Sequence, residues 1–212
     1  MFDRLPDPDI AKADARKAVE RLCILYDGLV EQVSDGSLSE AAAAELRAMA
    51  RIYDLNTDRP DAEVWSDLRP LLINQTPAPS SSPKDEPVVE GEFEPLTLLL
   101  VEDDPETTAD LTAALTEAGH SVVGPLHHAE AAEAAVALHA VDRALLDINL
   151  SGETNGIDLA RTLKVRWGLP VLFLSGDINA AAEHADLAEA LVLKPYNGRQ
   201  VLDAIAKATA RQ

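Results

Sequence analysis

Four apolar runs in the second half of this chain end in side chains able to do chemistry. Thr97 to Val101 runs into Glu102, Asp103 and Asp104, and Ala144 to Leu146 runs into Asp147. Pro170 to Leu174 ends at Ser175, and Ala190 to Leu193 ends at Lys194. Carboxylates gathered without a partner raise one another's pKa, so a converging group of them makes best sense around a divalent cation. Oxygen-only donors, few in number and leaving room for water, suit Mg2+. A metal, an ammonium and a hydroxyl around one carboxylate are what a phosphoryl group needs, because its transfer is largely positioning and charge neutralisation. Asp147 is then the nucleophile, and the product is an aspartyl phosphate.

Such convergence requires the four runs to be neighbouring strands pointing the same way. Each is short, apolar without polar alternation and bounded by charge or turn residues, as expected of strands buried on both faces. A further short strand, Ser121 to Val123, lies between the first and second runs. Helical segments are predicted over about 105–118, 129–140, 157–167, 179–188 and 197–210, with Pro105 at a first turn and Gly119 as a stop. Five strands alternating with five helices give an α/β fold, a (βα)5 doubly wound parallel sheet. In such sheets ligands bind beyond the carboxyl ends of the strands, which is where these side chains fall.

The first third of the chain reads differently. Helical periodicity runs from Asp9 to Val33, a capping box at Ser37 and Glu40 opens an alanine-rich second helix, and Pro60 with Asp61 opens a third. Residues 1–75 are therefore expected to form a small all-α interaction or dimerisation domain. So small a bundle leans on a dimer partner or a neighbouring domain for stability. Residues 76–95, rich in proline, serine and acids, read as an extended linker able to hold the halves tens of Å apart. Residues 96–212 hold the sheet.

With 47% hydrophobic and 26% charged residues the composition is that of a globular protein. The net charge of -19 leaves no basic segment. Direct binding to nucleic acid or to an anionic membrane is therefore not expected, and protein partners are. A single cysteine, Cys23, excludes an intrachain disulfide, and no signal peptide or membrane span is evident. The expected compartment is the cytoplasm. All five histidines lie beyond Gly119. The helical domain therefore has no phosphorylatable histidine, which excludes a phosphotransfer bundle there. His127 and His128 read as a solvated loop pair, and Trp65 and Trp167 as core or boundary residues.

The ordered set EDD, D, S and KPY makes residues 96–212 resemble the response-regulator receiver domain of two-component signalling, a flavodoxin-like fold with strand order 2-1-3-4-5. The resemblance implies that Asp147 is the phosphoacceptor of a phosphorelay. It makes Ser175 the switch hydroxyl and Lys194 the invariant lysine, with a cis peptide before Pro195. It also implies a Mg2+ held directly by Asp103 and Asp147, by Glu102 through water and by the Asn149 backbone carbonyl. Asn149 and Asp177 are the positions that tune phosphoryl lifetime, and Asp104 is a secondary or helix-capping acid. Where many relatives carry an aromatic, three residues before the lysine, this chain has Leu191, and the segment between Ser175 and Lys194 is short.

The expected function is that of a response regulator, with a histidine kinase or phosphotransfer protein as donor. Its output would run through protein contacts, with a homodimer through either the helical domain or the receiver face. Two alternatives stand beside it. One is an adaptor whose receiver is never phosphorylated. The other is a phosphatase of the haloacid-dehalogenase type, which needs the nucleophile on the first strand and the acid pair last, the reverse of the order here. The chain is thus not expected to be an enzyme beyond assisting its own phosphorylation and dephosphorylation.

Overall fold

The computed structural model describes residues 8–33, 38–75, 95–150 and 155–210. Three helices come first: α1 (Pro8–Gln32), α2 (Glu40–Ile52) and α3 (Asp61–Asn74). The sheet region follows as β1 (Thr97–Val101), α4 (Pro105–Glu117), β2 (Ser121–Leu126), α5 (Ala129–Leu138), β3 (Arg143–Asp147), α6 (Gly156–Trp167), β4 (Val171–Ser175), α7 (Ile178–Glu183), β5 (Ala190–Leu193) and α8 (Gly198–Thr209). All strand pairings are parallel, in the order β2-β1-β3-β4-β5.

Alternation along the strands divides the core in two. Leu99, Val101, Leu146 and Phe173 face one layer with α5 and α6, whereas Leu98, Leu100, Leu145 and Leu172 face the other with α4 and α8. Every residue of β3 and β4 is buried, which is why these strands read as unbroken apolar runs. At the β1–β2 pairing the register shifts between Leu99 and Val101, opposite Gly124. Gly124 has φ +125°, and a Cβ there would lie 2.5 Å from the Leu100 carbonyl, so only glycine fits.

The helical region sits on the sheet region instead of standing off from it. Residues 76–94 lie outside the described residues, but the helices on either side of them share one core: Leu22, Leu46 and Leu72 cluster with Leu126, Ala131 and Ala135. The separation that the linker composition suggested is therefore not what the fold adopts. Helix α5 explains the contact. Six of its alanines are buried, some against the sheet and others against α1, where Ala15 and Ala18 meet Ala137. A helix whose only polar side chains are Glu130 and Glu133 is stable when covered on more than one side, and small side chains let both layers approach closely.

Other local details differ from expectation or add to it. The cap of α2 is Ser39, whose hydroxyl accepts from the Ala42 amide; the Ser37 box lies outside the described residues. A capping box does occur, at Asn197 and Gln200 of α8. Trp65 is buried and stacks on Tyr26 with ring centroids 5.0 Å apart, and its indole N–H donates to Asp27. Cys23 is a buried free thiol, pushed up by burial. The shortness of the segment after Ser175 shows in α7, a helix of six residues. No described helix is long and apolar enough to cross a membrane.

Candidate functional site

Parallel pairing brings the ends of β1, β3, β4 and β5 to one edge. Glu102 follows β1, Asp147 and Ser175 close β3 and β4, and Lys194 follows β5. The Lys194 amide donates to the Ser175 carbonyl at 2.9 Å and the Glu102 amide to the Leu126 carbonyl at 3.0 Å, so the backbone itself sets the site. The peptide between Lys194 and Pro195 is cis.

Carboxylate oxygens of Glu102, Asp103 and Asp147 lie within 4.8 Å of one another. Lys194 Nζ reaches two of these acids, 2.5 Å from Glu102 Oε2 and 2.8 Å from Asp147 Oδ2. Glu102 is wholly buried, and burial followed by the Asp147 charge raises its carboxyl even against the Lys194 ammonium. Burial alone would lower the Lys194 ammonium, but hydrogen bonds to Asp147 and Glu102 outweigh it and hold the group well above the ordinary lysine range. The half-buried Lys194 ammonium thus pairs with two of the three clustered acids. That excess of negative charge, with oxygen donors only, fits a divalent ion of the Mg2+ kind.

The remaining site residues divide between the pocket and its walls. Asp147 Oδ1 accepts from the Asn149 amide at 3.1 Å, so each oxygen of this carboxylate has a donor. The Ser175 hydroxyl is buried and accepts from the Asp177 amide at 3.0 Å. Asp177 itself caps α7, accepting from the Asn179 and Ala180 amides. Asp104 caps α4, accepting from the Thr107 amide, while its own amide donates to Glu102. Leu191 lies on β5, 39% exposed.

Two features were missed by sequence reasoning. Gly156 opens α6 directly over the end of β3, and a Cβ there would lie 2.0 Å from the Asp147 carbonyl oxygen. Gly156→Ala is expected to push the end of β3 aside and to cost about 2 kcal/mol of stability in urea denaturation. An unchanged midpoint would show that the turn relaxes freely.

The second is the histidine pair. These residues are not a freely solvated pair: His127 is buried and His128 half-buried. His127 is 5% exposed and burial lowers its imidazolium, with Glu45, His128 and Asp103 as its charged neighbours. His128 Nδ1 lies 2.5 Å from Glu45 Oε2, on a carboxylate of α2 that is wholly buried. Hydrogen bonding to Glu45 raises the His128 imidazolium above its ordinary value. The turn after β2 thus touches the acidic pocket on one side and the helical region on the other. Loop histidines carry no local signal for this, because the partner is 83 residues away.

A five-stranded parallel sheet in this order, with acids, a hydroxyl and a lysine at its carboxyl edge, defines a receiver-type α/β domain. The response regulator receiver domain family matches residues 98–206, more than half of the chain, and the protein belongs to that family. The receiver domain of the TMAO respiratory system response regulator TorR is 28% identical, with a TM-score of 0.51 over 55% of this chain and 98% of its own. NtrX from Brucella abortus is 24% identical, with a TM-score of 0.52 over 55% of this chain, and shows the shared fold. The match spans 28% of NtrX. No curated protein matches the chain. The chain thus carries a response regulator receiver domain, with a helical region ahead of it.

Proposed function

We propose that Asp147 accepts a phosphoryl group from a phosphohistidine on a histidine kinase or phosphotransfer protein, as a step of a phosphorelay in the cytoplasm. The observation that supports this most directly is the Lys194 ammonium held between Asp147 and Glu102 in a buried acidic pocket. An Asp147 oxygen attacks phosphorus, the P–N bond breaks, and the donor imidazole keeps the electron pair and takes up a proton. Glu102, Asp103, Asp147 and the Asn149 carbonyl would hold Mg2+, which when bound neutralises charge on the phosphoryl oxygens. Lys194 supplies a second positive charge, and the Ser175 hydroxyl is the group that contacts the phosphoryl oxygens after transfer. Asn149 and Asp177 flank the pocket and set how readily water reaches the product.

The same residues assist hydrolysis of the aspartyl phosphate, so the chain acts as a switch and not as an enzyme on an external substrate. Its output runs through protein contacts of the helical region, without nucleic acid or membrane. The test is Mg2+-dependent incorporation of radiolabelled phosphate from acetyl phosphate into the full chain. Incorporation is expected in the wild type and absent in Asp147→Asn. Lack of label from acetyl phosphate and from any cognate phosphohistidine donor would overturn the reading.

A further inference from the structure

Helix α1 presents more than its own fold uses. Its inner face gives Val19, Leu22 and Tyr26 to the core, while Lys17, Glu20, Ile24 and Glu31 are exposed on the opposite face. Seven residues are about two turns, so Lys17 and Glu31 flank Ile24 along one line, roughly 10 Å to either side. Ile24 is 66% exposed and Ile73 of α3 is 52% exposed. Both border a groove of about 540 Å³ floored by Val19, Cys23, Leu72 and Leu138.

Gly28 is a second and independent mark on this face. Glycine in a helix interior lowers stability, and the usual reasons for it are a left-handed backbone or a close neighbour. Gly28 is not among the glycines with positive φ, and a Cβ there would meet nothing nearer than Gln32 Nε2 at 4.0 Å. Nothing within the described chain asks for glycine at this position. The open space beside it leaves room for another helix to approach closely from outside.

We propose that this face seats α1 of a second copy of the chain, antiparallel about a twofold axis at Ile24. In such a contact each residue meets its counterpart reciprocally. An axis at Ile24 sets Ile24 on Ile24, Lys17 against Glu31, and Glu20 over Gly28 of the other copy. Opposite charges then meet at both ends, and the position without a side chain receives the Glu20 stem. A parallel pairing would set lysine on lysine and glutamate on glutamate, so the charge pattern selects the antiparallel one. Ile73 of each copy closes the flank of the neighbouring helix. The inference rests on the helical region being a contact surface, and it is independent of phosphorylation at Asp147.

Sedimentation equilibrium of the full chain is expected to give a dimer. Ile24→Glu and Lys17→Glu are each expected to raise the dissociation constant about tenfold or more, and Lys17→Glu combined with Glu31→Lys to restore it. In a Cys23→Ala background, Ile24→Cys is expected to give a covalent dimer with a copper phenanthroline oxidant. Val165→Cys, 78% exposed on α6, is expected not to. Circular dichroism confirms folding of each variant. A wild-type monomer, including one whose groove binds a foreign helix, overturns the proposal, as does a dimer insensitive to both charge variants. Phosphate incorporation measured on the same samples reports on Asp147 separately.

Discussion

Replacing Lys194 by methionine is expected to destabilise the metal-free protein by about 3 kcal/mol at neutral pH, the usual cost of leaving a buried charge without its partner. Methionine keeps much of the aliphatic stem, so the loss reports charge more than packing. The acids left behind are Glu102, wholly buried, and Asp147, whose side chain is 7% exposed. The pH dependence has a definite sign. Glu102 already has a raised carboxyl, so its protonated form favours the fold, and that contribution is lost as pH rises through its folded value. Lys194 opposes this by favouring the ionised form. The deficit of Lys194→Met therefore grows as pH rises from about 4.3, the ordinary glutamate range, towards neutrality. Urea denaturation at several pH values measures it, and added Mg2+ is expected to recover part of the loss. A deficit equal at acid and neutral pH would show that the lysine acts by packing alone. Radiolabel incorporation in this variant is expected to fall steeply as well, because the phosphoryl group loses a counter-charge.

His128→Leu is expected to cost about 3 kcal/mol, because it strands the Glu45 carboxylate inside the junction. Glu45 is wholly buried, with His128 on its Oε2 and the Tyr26 hydroxyl as a further close neighbour. Glu45→Gln removes the charge and keeps the shape, and is expected to cost only about 1 kcal/mol. The His128 imidazolium is raised, so the stability it provides is fully present below its unfolded value, near pH 6.5, and is lost as pH rises through its higher folded value. Burial lowers the imidazoliums of His120, His127 and His139, which contribute the opposite slope. For His120 and His139 that slope is common to both chains and cancels in the difference, whereas His127, which has His128 and Glu45 as charged neighbours, changes with the substitution. The stability gap between wild type and His128→Leu should thus be widest below pH 6.5 and narrow above it, as read by chemical denaturation. A gap that widens at alkaline pH would mean that the pair is held as a neutral hydrogen bond.

The residues of the pocket were legible because buried parallel strands write themselves as apolar runs, and a charged or hydroxyl residue ending such a run is conspicuous. Glu102, Asp147, Ser175 and Lys194 each end a run, and topology alone carries all four to one edge. What the sequence hid was long-range. The proline- and acid-rich stretch after Gln75 suggested separation, whereas docking is written in α5, a helix with six buried alanines and hardly a polar face. Its one inner charge, Glu133, pairs with Arg21 of α1 and Arg166 of α6. Periodicity marks which face of a helix is apolar, but a helix apolar nearly all round is covered twice, and the second cover has no local sign. The burial of His127 and the half-burial of His128 follow from the same contact.

The alanine helix also decides where this molecule can bend. A close-packed interior switches between discrete arrangements and does not stretch, and α5 is packed between the sheet and the helices α1 and α2. A shift at the carboxyl edge of the sheet that displaces the turn at His127 and His128 must carry α1 and α2 along with α5. The helices then behave as a lever fixed to the sheet, with their fulcrum in the packing and not in the tether between them.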